Sequence, residues 1–268
     1  MTNIQKIIKY LSLAFAFYLI VCIITGILSV FKVINKIYDK SNEGNNNYYK
    51  ITELNNSFDT FDVKVGITNL YIKSGDSFKL ETNNKHIKIK NENNKLVIKE
   101  ETNINLNYDY KLTITIPENI IFNDIDIESG AGVVDIQNLS GNDVNFEFGA
   151  GKVYITKMQI NNKGSIETGA GSVNIENSKF NNLDLDMGVG SLNLECFLLG
   201  NNKIDSGIGK LNIKLLDDVN NYKFKISKGI GSIKYNDEEL KDNMIFGNGN
   251  NVIDINGGIG NINIKFGK

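Results

Sequence analysis

The chain has 268 residues, of which 41% are hydrophobic, and 29 Lys against 31 Asp plus Glu leave a formal net charge of −2. It has no Arg, and phosphate recognition favours basic surfaces and bidentate Arg, so the composition argues against a nucleic-acid partner. Cys22 and Cys196 lie too far apart in sequence to indicate a disulfide framework or a zinc site. A single His, His86, excludes most His-based catalytic arrangements, and we expect it at the surface.

The first predicted element is a transmembrane helix over residues 10–34, after a short N-terminal segment at 1–9. Tyr10 to Phe31 are 22 consecutive uncharged positions, and a helix of that length spans about 33 Å, enough for a bilayer core of about 30 Å. A cleaved signal peptide has a shorter apolar region and a small-residue cleavage site. A lipoprotein would need a small residue before Cys22, where Val21 stands, and a buried globular helix would show a polar face.

The orientation of this helix is not set by charge, because the Lys residues on its two sides are nearly balanced. The segment after it is rich in Asn and poor in Cys. We therefore expect a single-pass protein of the cell membrane, with the lipid bilayer around residues 10–34, a cytoplasmic N-terminus and an extracytoplasmic C-terminal domain.

A polar tether is predicted over residues 35–57, and one β-domain over 58–268. Beyond the tether, apolar residues alternate with polar ones at period two, as in Phe61, Val63 and Val65, which is typical of half-buried strands. No later segment has the periodicity of a helix.

The strongest signal is an internal repeat of Gly-x-Gly triplets, which occupies the chain from residue 125 onward. Positions four before, three after and five after each central residue are apolar in all seven copies. A weaker copy is centred on Ile67, where Thr68 replaces the second glycine. Steps of 19, 20, 19, 19, 22 and 29 residues separate the seven centres, which are Ala131, Ala150, Ala170, Val189, Ile208, Ile230 and Ile259.

A unit of about 19–20 residues cannot bury its own apolar face, so we expect the copies to stack as rungs around one core. The predicted fold class is all-β, a β-solenoid resembling a single-stranded β-helix, preceded by the transmembrane helix. We expect the glycines at a tight corner with positive φ or close backbone approach. The centres grow from Ala to Ile along the chain, which indicates a core that widens or repacks toward the C-terminus.

These residues resemble a bacterial family, the "putative adhesin" domain of unknown function with β-strand repeats. The resemblance rests on the Gly-x-Gly repeats and on the strand Leu112 to Pro117 that precedes them, and covers about residues 50–268. It implies a membrane-anchored surface β-solenoid and implies no reaction.

An acidic column is the one candidate site that the repeat alignment reveals. These residues stand three before the centre, next to an inward position, so we expect them to form an outward row on stacked rungs. Like charges in such a row repel each other, and three outcomes stay open. Lysines such as Lys152, Lys203 and Lys210 neutralise the row, the side chains splay into solvent, or calcium bridges adjacent carboxylates. The five residues are Glu128, Glu147, Glu167, Asp186 and Asp205.

No catalytic or cofactor-binding residues are predicted, and Cys196 is expected to be a small buried hydrophobe in one column with Leu215 and Phe266. The function that we predict is a non-catalytic structural, adhesive or interaction module whose partner is a cell-wall polymer or another envelope protein. Two alternatives stay open: an accessory component of an envelope-stress sensing system, and a carbohydrate-active enzyme. The absence of Trp and Arg argues against the enzyme.

Overall fold

The computed structural model describes residues 49–54, 58–101 and 109–267, and it confirms the all-β class. One 17-stranded sheet contains every strand of these described ranges. A 3-10 helix at Val219–Asn221 is the single helical element of the described residues. The strands are β1 Lys50–Leu54, β2 Thr60–Val65, β3 Asn69–Gly75, β4 Phe78–Thr82, β5 Ile87–Glu92, β6 Lys95–Glu100, β7 Lys111–Pro117, β8 Phe122–Gln137, β9 Ser140–Thr156, β10 Gln159–Asn181, β11 Leu183–Leu199, β12 Asn201–Leu215, β13 Tyr222–Ser227, β14 Ile230–Tyr235, β15 Glu238–Glu239, β16 Met244–Phe246 and β17 Asn251–Phe266.

The repeats stack as parallel rungs. Rungs 1 to 5 are the long strands β8 to β12, rung 6 is β13 with β14, and rung 7 is β17. From rung 1 to rung 5 each strand pairs in parallel with the next, and the triplet centres face each other, as Ala131 faces Ala150. A parallel register keeps equivalent positions aligned from rung to rung, so each column of the repeat becomes a row of neighbouring side chains.

The core consists of the three predicted apolar columns, which are buried in every rung except at Tyr235, a half-buried residue. Buried positions lie an even number of residues before the centre and an odd number after it. Because side chains alternate along a strand, this change of phase means that the backbone turns at the centre. We call the part of a rung before the centre its first arm and the part after it its second arm.

Close backbone approach at this corner explains the glycines. At Gly190, φ is +141°, and a Cβ there would overlap the carbonyl oxygen of Gly171 in the rung below. The other second glycines of the triplets also have positive φ and the same kind of backbone neighbour, apart from Gly132 above the weaker copy. A side chain would therefore separate the rungs, as the sequence predicted.

The order of the rungs departs from chain order at the C-terminal end. Rung 7 pairs with rung 5, with Ile259 opposite Ile208, and rung 6 pairs with the outer side of rung 7, with Ile230 opposite Ile259. After rung 5 the chain therefore forms rung 6, the terminal rung, and then returns to form rung 7 between rungs 5 and 6. Phe224 of the terminal rung stacks on Phe246 of β16 with ring centroids 5.0 Å apart, which closes the core at this end.

The N-terminal end of the stack is built in a similar way. The weaker copy, β2 with β3, pairs with rung 1, and its outer side carries β6 and β7. Antiparallel strands then cover this outermost layer, β5 on β6 and β4 on β7. Residues 50–54, which the sequence placed in the tether, are instead strand β1, paired with β4. This edge strand buries none of its five residues and leaves Ile51 exposed, so it lacks the one-sided alternation that identifies a strand in the sequence.

A carboxylate completes the corner of the weaker copy. Glu100 Oε2 accepts hydrogen bonds from the backbone N–H groups of Gly66 at 2.5 Å and Ile67 at 3.1 Å. Its other oxygen accepts from the Thr68 hydroxyl at 2.7 Å and from the Asn84 amide at 2.6 Å. Thr68 has no positive φ, so the corner that begins the stack differs in its backbone from the glycine corners above it.

The central residues of the triplets are not core residues, which corrects the prediction of a widening core. Ile208, Ile259 and Ile230 have 39%, 44% and 71% of their surface exposed. The corner turns the central side chain away from the core, so the increase from Ala to Ile enlarges the surface of the corner instead.

Within the described ranges no helix is long and apolar enough to cross a membrane. The helix predicted over residues 10–34 lies outside those ranges, as do residues 35–48 of the predicted tether.

Candidate functional site

The acidic column is present as predicted, on the first arms of rungs 1 to 5. Glu128 faces Glu147, Glu147 faces Glu167, and the row continues through Asp186 to Asp205. Neighbouring rungs lie about 4.8 Å apart. Five carboxylates therefore follow one another along the stack.

Neutralising groups hold the two ends of this column. Lys64 of the weaker copy bonds to Glu128 and lies 3.3 Å from Asp126, and its hydrogen bond to Glu128 raises its pKa. At the other end Asp205 pairs with Lys203 and accepts a hydrogen bond of 2.7 Å from Asn256.

Of the lysines that the sequence analysis named, Lys203 makes such a pair, whereas Lys152 and Lys210 form no ion pair in the described part of the chain. The ion pairs of this part do not include Glu147, Glu167 or Asp186.

The environments of the last two carboxylates move their pKa values apart. Partial burial raises the pKa of Asp186, and so does the neighbouring Asp205, which accepts a hydrogen bond from a protonated Asp186. Partial burial opposes ionisation of Asp205 too, but hydrogen bonds from Lys203 and Asn256 outweigh it and lower the pKa of Asp205. A proton taken up by this pair therefore goes to Asp186 first.

A groove of about 720 Å³ runs along the acidic column. Its floor is the backbone of the first corner glycines of four rungs, and Glu128, Glu147, Glu167 and Asp186 line one side. No three His, Cys, Asp or Glu side chains among the described residues are placed so that they could hold a metal ion. A calcium ion bridging this row stays a prediction.

The sequence reading missed a second column, which lies on the second arms. Asn193 donates a hydrogen bond of 2.7 Å to Asn174, Asn212 donates one of 2.7 Å to Asn193, and Asn263 donates one of 2.8 Å to Asn212. These four asparagines, which we call the amide column, stand four residues after their centres. The same alignment that shows the acidic column contains them, but the abundance of Asn in the chain, 42 residues, obscured the pattern.

The amide column borders a second groove, of about 520 Å³. Ion pairs of Lys214 with Glu195, at 3.2 Å, and of Lys265 with Asp237, at 2.8 Å, lie on its rim. Tyr154 is the next residue of this column after Asn174, and 41% of its surface is exposed. The second arms therefore present a polar surface of mixed charge with one aromatic ring.

The two remaining candidates have no site around them. Cys196 is a free, fully buried thiol whose pKa is raised by burial, and it faces Leu215, which in turn faces Phe266, as predicted. His86 is half-exposed, and its backbone N–H bonds to the Asn84 side chain.

Comparison with known proteins gives one family and several similar solved structures, among them two bacterial proteins. The family model described as Toastrack DUF4097 matches residues 50–265. A "putative cell adhesion protein" from Clostridium sporogenes is 18% identical, with 82% of this chain and 99% of that chain covered and a TM-score of 0.43. A "putative adhesin" from Bacteroides fragilis is 16% identical, with 81% and 95% covered and a TM-score of 0.36. No curated protein matches the sequence.

Proposed function

The chain belongs to the Toastrack DUF4097 family, and on that premise we propose that it is a non-catalytic surface module, a β-solenoid that binds a repetitive cell-wall polymer. In this proposal residues 10–34 anchor the protein in the cell membrane and residues 35–48 tether the domain outside it. The amide column is the surface that contacts the polymer.

The observation that carries this proposal is the unused hydrogen-bonding capacity of the amide column. An asparagine side chain has two N–H donors and an oxygen with two lone pairs. Inside the column Asn193 and Asn212 each use one donor and one lone pair on their neighbours. One donor and one acceptor per rung therefore remain, repeated about every 4.8 Å.

The chemistry of these free groups favours a polysaccharide with N-acyl groups. A secondary amide on a sugar has one N–H and one carbonyl, which complements one free acceptor and one free donor. The exposed ring of Tyr154 adds an apolar face of the kind that packs on a sugar ring. Rungs 3, 4, 5 and 7 present Asn at the same outward position, a regularity that suits a polymer better than the single cleft of an enzyme.

The test compares two insoluble polymers with the same backbone, chitin, which carries N-acetyl groups, and cellulose, which carries hydroxyls in their place. The full-length protein in detergent is expected to sediment with chitin and much less with cellulose. Replacing Asn193 and Asn212 by Ser should weaken binding about tenfold or more, since each lost hydrogen bond contributes about 1 kcal/mol.

The control variant carries Glu147→Gln and Glu167→Gln on the other arm and should bind chitin as the native protein does. Equal sedimentation with both polymers, or of both variants with chitin, would reject the amide column as the contact surface. Release of soluble sugar would point to an enzyme instead.

The topology has its own test. Protease added to intact, wall-stripped cells is expected to release a fragment that contains the β-domain. A fragment that forms only after lysis would mean that the domain faces the cytoplasm.

A further inference from the structure

Rung 7 is the strand that joins rung 6 to the rest of the stack. In the described chain β13 pairs with β16 and β17, and β14 pairs with β15 and β17. No described strand of rung 6 pairs with rung 5, although rung 6 follows rung 5 in the chain. If β17 left its place, rung 6 would therefore lose its strand pairing to the stack.

The aromatic packing of rung 6 also depends on rung 7. Phe266 of rung 7 contacts Tyr222 and Phe224 of rung 6, with ring centroids 5.9 Å and 6.2 Å apart. In a stack of repeats the interface with the neighbouring repeat supplies much of the stability of each unit. We therefore expect rungs 6 and 7 to open together, and we call residues 222–266 the terminal unit.

One boundary, between rung 5 and rung 7, carries the strand pairing that holds the terminal unit in place. Across it Asn256 donates a hydrogen bond of 2.7 Å to Asp205, and Asn263 donates one of 2.8 Å to Asn212. Rungs 1 to 5 keep their own pairing when this boundary opens. Cooperative units of this kind open at a lower free energy than the whole domain.

The same boundary crosses the amide column. Asn212 and Lys214 of rung 5 line the groove on one side of it, and Asn263, Lys265 and Lys234 of the terminal unit line the groove on the other side. Opening of the terminal unit would divide this groove. A polymer that contacts both sides binds the closed form and shifts the population toward it.

We propose that β17 acts as a latch, which closes the terminal unit onto rung 5, and that a polymer bound along the amide column keeps this latch closed. Rungs 6 and 7 open and close together, whereas rungs 1 to 5 stay stacked. The role of the polymer rests on the function proposed above, and the latch itself does not.

Hydrogen exchange of the full-length protein in detergent tests the latch. The amides of β13, β14 and β17 should exchange together, roughly tenfold or more faster than those of β9 to β11. Static pairing alone predicts a different result, because β17 has paired strands on both sides and should then be as well protected as β11. Protection of β17 equal to that of β9 to β11 would overturn the proposal.

Two corner glycines give a matched pair of variants. Gly260 and Gly231 have φ of +146° and +144°, and a Cβ on either would overlap a backbone oxygen of the rung below. Gly260→Ala, between rungs 5 and 7, should speed exchange of β13, β14 and β17 together about tenfold or more. Gly231→Ala, between rungs 7 and 6, should speed exchange of rung 6 and leave β17 protected. Release of β17 without rung 6 by Gly260→Ala, or of β17 by Gly231→Ala, would contradict the latch.

The role of the polymer is tested with the soluble hexamer of N-acetylglucosamine. At ten times its Kd this probe should slow exchange of the terminal unit about tenfold, because it binds only the closed form. The matching hexamer of glucose should have little effect. Unchanged exchange with the N-acetylglucosamine hexamer bound would overturn the coupling. A hexamer that does not bind would reject both the coupling and the function proposed above, while the glycine variants still decide the latch.

Discussion

The acidic column and the amide column belong to the same rungs and share one core, yet they respond to stacking in opposite ways. Asn193 donates to one neighbour and accepts from the other, so each added rung adds a hydrogen bond. Glu147 and Glu167 face like charges, so each added rung adds repulsion of about 1 kcal/mol even in water. In an in-register stack each outward residue contacts its equivalent in the next rung, so a favourable or an unfavourable contact at that position is repeated at every rung.

The ends of the two columns confirm this difference. The acidic column stops at Lys64 on one side and at Lys203 with Asn256 on the other. The amide column needs no such groups, because a neutral amide offers a donor to one side and an acceptor to the other. Repulsion is thus relieved at the edges of the acidic column, and its centre keeps the largest charge density.

The largest effect should come from the core that supports both columns. Ile175, which is fully buried in rung 3, should cost about 3–5 kcal/mol of unfolding free energy when replaced by Asp, because an unpaired carboxylate would be buried. The neighbouring Asn174→Asp should cost under about 1 kcal/mol, since a carboxylate still accepts the hydrogen bond from Asn193. Chemical denaturation of the full-length protein measures both, and similar losses would contradict the inward and outward assignment.

Much of this architecture could be predicted because its determinants are local. Alternation identified the buried columns, and the glycine corner followed from a residue type that only a tight backbone approach requires. The outward row of Glu128 to Asp205 followed from the repeat length alone. These inferences need only the parity of a position and the spacing of the copies.

The rest depends on pairing between distant residues. The insertion of rung 7 between rungs 5 and 6 is set by which edge stays open, and its signal in the sequence was the longer step of 29 residues from Ile230 to Ile259. The exposure of Ile208 could not be read from its apolar character, since the corner reverses which side faces the core. Lys64 meets Glu128 across 64 residues, and no local pattern encodes that contact.

A moderate loss is expected from the amide column. Asn193→Ala removes hydrogen bonds to Asn174 and to Asn212 and should lower the unfolding free energy by about 1–2 kcal/mol. Asn250→Ala, at an exposed asparagine outside the column, should have little effect. If both substitutions destabilise equally, the column contributes nothing beyond the general effect of losing an asparagine.

The acidic column should respond in the opposite direction. Glu147→Gln with Glu167→Gln removes like-charge contacts along three rung interfaces. Salt screens each contact below its value in pure water, so stability in chelator should rise by about 1 kcal/mol in total at moderate salt and by less at high salt. Thermal unfolding at two salt concentrations measures this gain. Unchanged or lower melting of the double variant would show that the side chains already splay far enough to avoid repulsion.

The calcium hypothesis predicts a further change in the same experiment. A ligand that binds only the folded state adds about 2.7 kcal/mol at 100 times its dissociation constant. Millimolar calcium should therefore raise the melting temperature of the native protein and leave the double variant unchanged. Native melting that does not respond to calcium ends the hypothesis.

The smallest expected effect is a pH dependence at the end of the acidic column. The folded-state pKa of Asp186 is raised, so its contribution to stability is present below the ordinary pKa of Asp and is lost as pH rises through the raised value. The folded-state pKa of Asp205 is lowered, so its contribution is present above the ordinary pKa of Asp and is lost as pH falls through the lowered value. Relative to Asp186→Asn, the native protein should therefore gain stability on mild acidification from pH 7, whereas relative to Asp205→Asn it should lose stability under stronger acid. Denaturation midpoints of the native protein and the two variants, measured from pH 7 into acid, show both trends. If the three plots of midpoint against pH are parallel, the two carboxylates titrate alike and repulsion in the acidic column is uniform to its end.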